Sequence, residues 1–236
     1  MAFMPNMSDQ DKIVLLEMLE TGELCDLTIT GNDESEFRVH SEVLSSVSKK
    51  LAEEVRKSPE SKLILPVSSK SLRLITKFAY EGPSKCELSE DCLHEIIEMT
   101  KEFDIDKLQE LSCNFLEDHV NKGNFKKFLK LSQLLSISDC MNKIVEFIAL
   151  NIKDLPDSEI GSLQKQEFLH IIEHECLNLS KDEASVLTKM WVDNNHVIRS
   201  QEQKLYEASQ QETASRIPAE VVLSVAGWED EPSRHL

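Results

Sequence analysis

Residues 24–44 read LCDLTITGNDESEFRVHSEVL and contain two runs in which apolar and polar residues alternate. The first run covers residues 25–29, and an alternation of this kind is typical of a half-buried strand. The Gly-Asn-Asp segment at 31–33 gives the backbone the freedom to reverse its direction. A second, shorter alternation follows at residues 37–39. The sequence therefore predicts a β-hairpin.

The spacing of apolar residues changes to that of a helix directly after the hairpin. From Val43 to Val55 they recur at helical intervals, which predicts one helix over Ser41–Lys57. Leu63, Leu65 and Val67 then alternate again and predict a third strand. This part of the chain thus combines a small sheet with helices, as expected for an α+β fold.

Further short elements are predicted on either side of this unit. Residues 9–20 have the apolar spacing of a short helix, which Gly22 is expected to end. Cys86 and Leu88 suggest a short edge strand. Ser89 is followed by two acidic residues, a pattern that predicts the cap of the next helix.

Strand signals disappear from Asn121 onward. Four helices separated by short polar turns are predicted there, over residues 125–135, 140–152, 166–175 and 182–192. The last is preceded by Ser180-x-x-Glu183, a capping box in which each side chain satisfies a free backbone N–H. We therefore predict three regions: an α+β domain at 1–120, an all-α domain at 121–200, and a polar segment with a final β-branched run at 201–236.

The composition disfavours several classes of function. The chain carries 43 acidic and 26 basic residues, and its net charge of −17 would repel a nucleic acid. Its six cysteines are scattered without a C-x-x-C pair, so we expect reduced thiols in the cytoplasm or nucleus. We expect no secretory signal, and the apolar cluster at Ile144–Leu150 is too short to span a bilayer. Neither nucleic acid nor a membrane is an expected partner.

One motif resembles a zinc site. His170, Glu173 and His174 follow the H-x-x-E-H pattern of some zinc peptidases, and on a helix the two histidines would share a face. The alternative is an ordinary helix with Ile171 and Ile172 in its core, and we favour it because the pattern needs only three residues and a further ligand. The sequence shows neither a Gly-rich phosphate loop nor a nucleophile motif. We therefore predict no catalytic residue, metal or cofactor, and expect the protein not to be an enzyme.

Asp26 and His40 flank the predicted hairpin. An acid/base pair is one interpretation, but polar residues in such positions are more often structural groups held by hydrogen bonds. The Leu-Cys-Asp-Leu entry and the following Phe-x-Val-His-x-x-Val-Leu pattern of residues 37–44 resemble the opening of a BTB (POZ) domain of the kelch-like type. In that resemblance Asp26 and His40 are structural markers of the BTB fold.

The resemblance extends along the chain. It covers residues 9–120, including the Phe-Ala-Tyr-x-Gly turn at 78–82 and the Cys-Asn-Phe-Leu helix at 113–116. Residues 121–200 resemble the BACK domain that follows BTB in kelch-like proteins, and residues 216–228 resemble the start of a first kelch repeat. The implied fold is a small sheet flanked by helices, followed by an all-α BACK domain.

The resemblance implies a function without catalysis by this chain. The protein would be a dimer that binds cullin-3 and presents a protein substrate to a RING ubiquitin ligase, the substrate being held by a kelch domain. The dimer would be a homodimer, or a heterodimer with another BTB protein, formed through Ile13, Leu16 and Leu19. The expected contacts with the cullin come from both domains: Leu51, Glu60, Tyr80, Phe125 and Phe128.

Two departures from the family pattern keep an alternative open. Glu60 matches the acidic position of the family's hydrophobic-x-Glu motif, but the large apolar residue before it is missing, and Leu51 stands where an aromatic residue is usual. The chain also ends inside what resembles the first kelch strand, so it is either a fragment or a protein without a propeller. The alternative function is a cullin-independent dimerisation scaffold of the cytoskeletal or transcriptional kind.

Overall fold

The structure is a computed structural model that describes residues 9–195. Three strands lie in that range: β1 Leu27–Thr30, β2 Glu36–Val39 and β3 Lys62–Ile64. The same range contains eleven α-helices: α1 Asp9–Thr21, α2 Ser41–Ser45, α3 Lys49–Lys57, α4 Ser69–Glu81, α5 Leu93–Glu102, α6 Asp106–His119, α7 Phe125–Leu135, α8 Ser138–Asn151, α9 Asp157–Ile160, α10 Lys165–Ile172 and α11 Lys181–Asn194. Short 3-10 turns occur at Pro59–Ser61, Pro83–Lys85 and Ile152–Asp154.

The sheet has the strand order β2-β1-β3. β1 and β2 form the predicted antiparallel hairpin, with Leu27 opposite Val39. β3 runs parallel to β1, with Leu63 beside Ile29. The predicted third strand is thus present but ends at Ile64, before the other two alternating residues.

The core of the first part of the chain lies between this sheet and the helices that surround it. Ile29, Val39, Leu51, Leu72 and Phe78 are members of one buried cluster. Burying a side chain of this size contributes roughly 1.5–3 kcal/mol each relative to its exposed state. The alternating and helical spacings of the sequence therefore place apolar residues in one continuous core.

The predicted single helix over 41–57 is wrong, because the chain forms two helices there. Ser48 lies between α2 and α3 with extended backbone angles, φ −154° and ψ 159°, and its Oγ accepts the N–H of Leu51 at 3.0 Å. A side chain in this role satisfies a free donor at the start of a helix. The apolar spacing continues through the break, so periodicity alone does not reveal it.

The edge strand predicted at Cys86 and Leu88 is also wrong. A 3-10 turn at Pro83–Lys85 is followed by irregular chain, which has no strand partner within residues 9–195. Ser89 does not cap α5, since its carbonyl oxygen accepts the N–H of Cys92 in a turn and the helix begins only at the next residue. Two alternating residues are too short a pattern to specify a strand.

Two carboxylates from elsewhere in the chain hold the start of α4. One Glu95 oxygen accepts the N–H and Oγ–H of Ser68, at 3.0 and 2.7 Å, and the Oγ–H of Ser71 at 2.5 Å. Asp33 Oδ2 accepts the N–H of Ser69 at 2.9 Å. Negative charge is stabilising at a helix N-terminus because the free N–H groups and the helix dipole point toward it. Partial burial raises the pKa of Glu95, but the hydrogen bonds from Ser71 and Ser68 outweigh this and lower it overall.

The described residues fall into two compact units, 9–119 with 131–137 and 120–130 with 138–195. The second unit is helical, and α8 packs on α10 within it. The predicted capping box is confirmed: Ser180 N–H donates to Glu183 at 2.8 Å and Glu183 N–H donates to Ser180 Oγ at 3.3 Å. No helix between residues 9 and 195 is both long enough and apolar enough to cross a bilayer.

Candidate functional site

Asp26 binds the start of α2. Its two carboxylate oxygens accept the N–H and the Oγ–H of Ser41, both at 2.7 Å. The hydrogen bond from the Ser41 backbone is the main reason that the pKa of Asp26 lies below its ordinary value, although partial burial opposes it. Asp26, which directly precedes β1, therefore caps the start of α2.

His40 is the residue next to this cap, and both of its ring nitrogens have partners in the chain. Nε2 is 3.0 Å from the carbonyl oxygen of Glu23, and Nδ1 is 2.7 Å from Tyr80 Oη. A carbonyl oxygen can only accept, so Nε2 carries the proton in the neutral ring. Nδ1 then accepts the hydroxyl proton of Tyr80. Oη in turn accepts the backbone N–H of His40 at 2.8 Å.

Tyr80 is buried at the end of α4, and burial raises its pKa to about 12. The hydroxyl group therefore stays protonated at neutral pH, as its donation to His40 requires. The sequence prediction placed Tyr80 at a partner surface, whereas its hydroxyl joins α4 to the segment between β2 and α2. Periodicity carries no signal for this hydrogen bond, because the two residues are far apart in the sequence.

The three residues predicted to form the dimer face on α1 differ in exposure. Leu16 and Leu19 are half-buried and pack on the core cluster of the same chain. Ile13 points outward and is 49% exposed. Its neighbour Val14, which the predicted contact set omitted, is 45% exposed. A dimer contact stays a prediction, and the exposed pair is the apolar part of α1 that is open to a partner.

The five residues predicted to contact a cullin differ sharply in exposure. Four of them are buried: Leu51, Tyr80, Phe125 and Phe128. Glu60 is exposed and lies in the turn that leads into β3. Contact with a cullin stays a prediction for these positions. The buried side chains can only support a surface from beneath, and Glu60 is the one of the five that can meet a partner directly.

The turn around Glu60 has an unusual backbone. Glu60 and Ser61 have φ values of +52° and +55°, in the left-handed region that costs a residue with a side chain about 1–2 kcal/mol. Such conformations persist only where the surrounding structure holds them, and they are common at functional sites. Sequence reasoning identified this turn by its departure from the family motif but gave no signal for its conformation.

The H-x-x-E-H motif does not form the helical pair that its spacing suggests. α10 ends at Ile172, so His174 lies beyond the helix and does not share a helical face with His170. His174 Nδ1 instead accepts the N–H of Cys176 at 3.2 Å. Ile171 is buried within the second unit, as the interpretation of an ordinary helix predicts.

Most of the contacts described above lie in a part of the chain that matches one protein family. A family profile for the BTB/POZ domain matches residues 15–120. That range includes the hairpin, both capping carboxylates of α4, the contact of Asp26 with Ser41 and the contacts of His40 with Tyr80. Comparison with curated proteins gives no match. The predicted BACK region stays a prediction, and the predicted kelch start lies outside the described residues. Residues 15–120 of this chain are a BTB/POZ domain.

Proposed function

We propose that this protein is a dimeric interaction scaffold that links cullin-3 to a protein substrate in a RING ubiquitin ligase. The observation that carries the proposal is the BTB/POZ domain at residues 15–120, since domains of this family commonly dimerise and bind partners. The exposed pair Ile13 and Val14 supports dimerisation through α1. Two copies of the adaptor would then present two substrates to the ligase.

The turn between α3 and β3 is the proposed contact with the cullin. Glu60 and Ser61 are exposed there, and their backbone is held in a defined left-handed conformation. The buried Leu51 lies in α3, the helix that precedes this turn. In this proposal the first helices after residue 120 complete the contact, as the BACK region, and the chemistry of ubiquitin transfer belongs to the partner enzymes.

Titration against the N-terminal domain of cullin-3 tests the contact. We expect the wild-type protein to bind at micromolar concentration and Glu60→Lys to weaken binding at least about ten-fold, a change of about 1.4 kcal/mol. Glu36→Lys is the matched control, because it makes the same change of charge on β2, at the opposite edge of the sheet from β3. The absence of binding at tens of micromolar, or equal losses in both variants, would contradict the cullin contact.

A cullin-independent dimeric scaffold is the second candidate, and one observation favours it. The residues between Lys57 and Lys62 are Ser-Pro-Glu-Ser, so this turn offers no large apolar side chain to a partner. Binding energy at interfaces is usually concentrated in a few large anchor residues. A protein that dimerises but shows no cullin binding in the titration would belong to this second class, with the cytoskeleton or transcription as its setting.

The location and the substrate site are part of the same proposal. The reduced cysteines of the described chain are compatible with the cytoplasm or nucleus, where cullin ligases work. The substrate would be bound by a kelch domain to which residues 201–236 would lead. Those residues lie outside the described part of the chain.

A further inference from the structure

α11 has apolar residues on the face that it buries and also on the flank beside that face. One face, which includes Ala184, Thr188 and Trp191, is buried within the second unit. The Trp191 ring stacks on Phe168 with centroids 4.5 Å apart, and its Nε1–H donates to the carbonyl oxygen of Leu163 at 2.9 Å. A surface helix that packs in this way normally has polar residues on the face turned away from the core.

The flank of α11 beside the buried face departs from that pattern. Met190 lies four positions after Val186 and three after Leu187, so both side chains neighbour it on the helix surface. Val186 is 70% exposed. Leu187 and Met190 are half-buried beside it. Together with Ile152 and Leu179 these three residues line an open groove of about 390 Å³. An apolar groove that is open to solvent and framed by polar residues marks an interaction site on many proteins.

The rim of the groove carries negative charge. Asp157, Asp182 and Glu183 line it, with Lys153 as the basic residue of the lining. Lys153 is already bound to Glu183, with Nζ 2.8 and 3.0 Å from the two carboxylate oxygens. Three carboxylates therefore face one ammonium group, and the carboxylates of Asp157 and Asp182 set the charge that an incoming partner meets.

We propose that this groove binds a short amphipathic segment of another protein, with apolar side chains over Val186 and Met190 and Lys or Arg side chains toward Asp157 and Asp182. Helical peptides commonly dock into grooves with this combination of an apolar floor and a charged rim. The site lies outside the BTB/POZ domain, so the inference goes beyond the proposed function and does not depend on cullin binding.

Charge complementarity favours a separate basic partner over a second copy of this chain and over the chain's own residues 196–236. A second copy of the chain would bring an identical negative rim against the first, and like charges oppose such a contact. Residues 196–236 carry seven acidic and four basic residues, so their net charge is also negative. A basic, amphipathic segment complements the groove in both charge and polarity.

Fluorescence anisotropy with a labelled probe peptide tests the proposal. The probe is a helical peptide of leucine and lysine, and a leucine/glutamate peptide of the same pattern serves as its charge-reversed counterpart. We expect full-length protein to bind the lysine probe, more weakly as salt is raised, and not to bind the glutamate probe. Val186→Lys should weaken binding about ten-fold or more, because it removes apolar contact and repels the probe.

The matched control is Leu150→Lys. Leu150 is an exposed apolar residue of the second unit that does not line the groove, and the substitution makes the same change of charge. It should leave the affinity within about two-fold of wild type. Equal weakening by the two variants would show that the probe binds because the whole protein is acidic. If the wild-type protein does not bind the probe, the groove is not a binding site for such a segment. Either result overturns the proposal.

Two measurements without the probe test whether a second copy of the chain or the chain's own C-terminal segment occupies the groove. A Val186→Lys variant that lowers the molar mass in light scattering would identify a second copy as the occupant. A variant that raises hydrogen exchange in residues 196–236 would identify this chain's own C-terminal segment. Each of these results overturns the assignment to a separate partner, whereas unchanged mass and unchanged exchange support it.

Discussion

Tyr80 joins distant parts of the BTB/POZ domain through one hydroxyl group. The group donates to His40 Nδ1 and accepts the His40 backbone N–H, while the other ring nitrogen of His40 binds the carbonyl oxygen of Glu23. Buried polar groups in such a chain are costly to leave unpaired, about 1–3 kcal/mol each. The network therefore fixes how the end of α4 meets the segments on either side of the hairpin.

The raised pKa of Tyr80 predicts a loss of stability at high pH. An unfolded tyrosine ionises near its ordinary pKa of 10.0, whereas Tyr80 in the folded protein ionises at about 12. Between these values the unfolded state holds fewer protons than the folded state, so the free energy of unfolding falls as pH rises. The shift corresponds to a loss of about 3 kcal/mol across the whole window.

Urea unfolding at several pH values between 9 and 11 measures the first half of this loss, about 1.4 kcal/mol. Tyr80→Phe should be less stable than wild type at neutral pH, because it leaves groups of His40 unpaired. It should nevertheless show a shallower decline above pH 10, since the buried phenol is gone. An identical decline in both proteins would contradict the assignment of the loss to Tyr80.

At the scale of elements, the hairpin and most helices follow from patterns in the sequence, while the breaks between elements do not. The hairpin is confirmed because strand alternation and a Gly-Asn-Asp turn act over a few neighbouring residues. The break between α2 and α3 was missed because Val47 and Leu51 are buried in the same core on either side of it. Ser48, a good capping residue inside an apolar pattern, was the available signal.

The cap at Ser48 predicts a measurable contribution to stability. Ser48→Ala removes the acceptor for the Leu51 N–H and should lower the free energy of unfolding by about 1 kcal/mol. Ser45→Ala is a suitable control, because Ser45 is the last residue of α2 and does not cap a helix. Urea denaturation compares the two variants, and equal effects would argue against a capping role.

At the scale of the whole molecule, the sequence could indicate which surfaces matter but not which side chains reach them. Periodicity places Leu16, Leu19 and Ile13 on one helix, yet only contact with the core decides that the first two turn inward. The same holds for Leu51, an apolar residue whose burial depends on residues distant in sequence. The α+β class was predictable from local alternation and helical spacing, and the BTB/POZ domain was predictable from the resemblance of several motifs to that family.

If the protein dimerises through α1, a charge placed in that interface should weaken the dimer. Ile13→Asp should weaken the dimer at least about a hundred-fold, because an interface that buried the new carboxylate would leave it unpaired. The substitution should not unfold the chain, since Ile13 is half exposed within one chain. Light scattering at micromolar concentration should show the mass fall from dimer to monomer.

Ile64→Asp is the control for this experiment. Ile64 is also an exposed apolar residue of the first unit, at 77%, but it lies on β3 rather than on α1. Its variant should keep the dimer mass. A monomeric wild type, or a dimer that survives the change at Ile13, would contradict the proposed interface.

The ultraviolet absorbance of Tyr80 can also report whether its hydroxyl group is buried. The chain contains two tyrosines, and the second, Tyr206, lies outside the described residues. Tyrosinate absorbs at longer ultraviolet wavelengths than the protonated ring, so an alkaline absorbance titration would show the late ionisation of Tyr80 while α4 remains docked on His40. In any variant or assembly of this protein, ionisation of Tyr80 near its ordinary pKa would report that the BTB/POZ domain had opened, without a label or an added reporter.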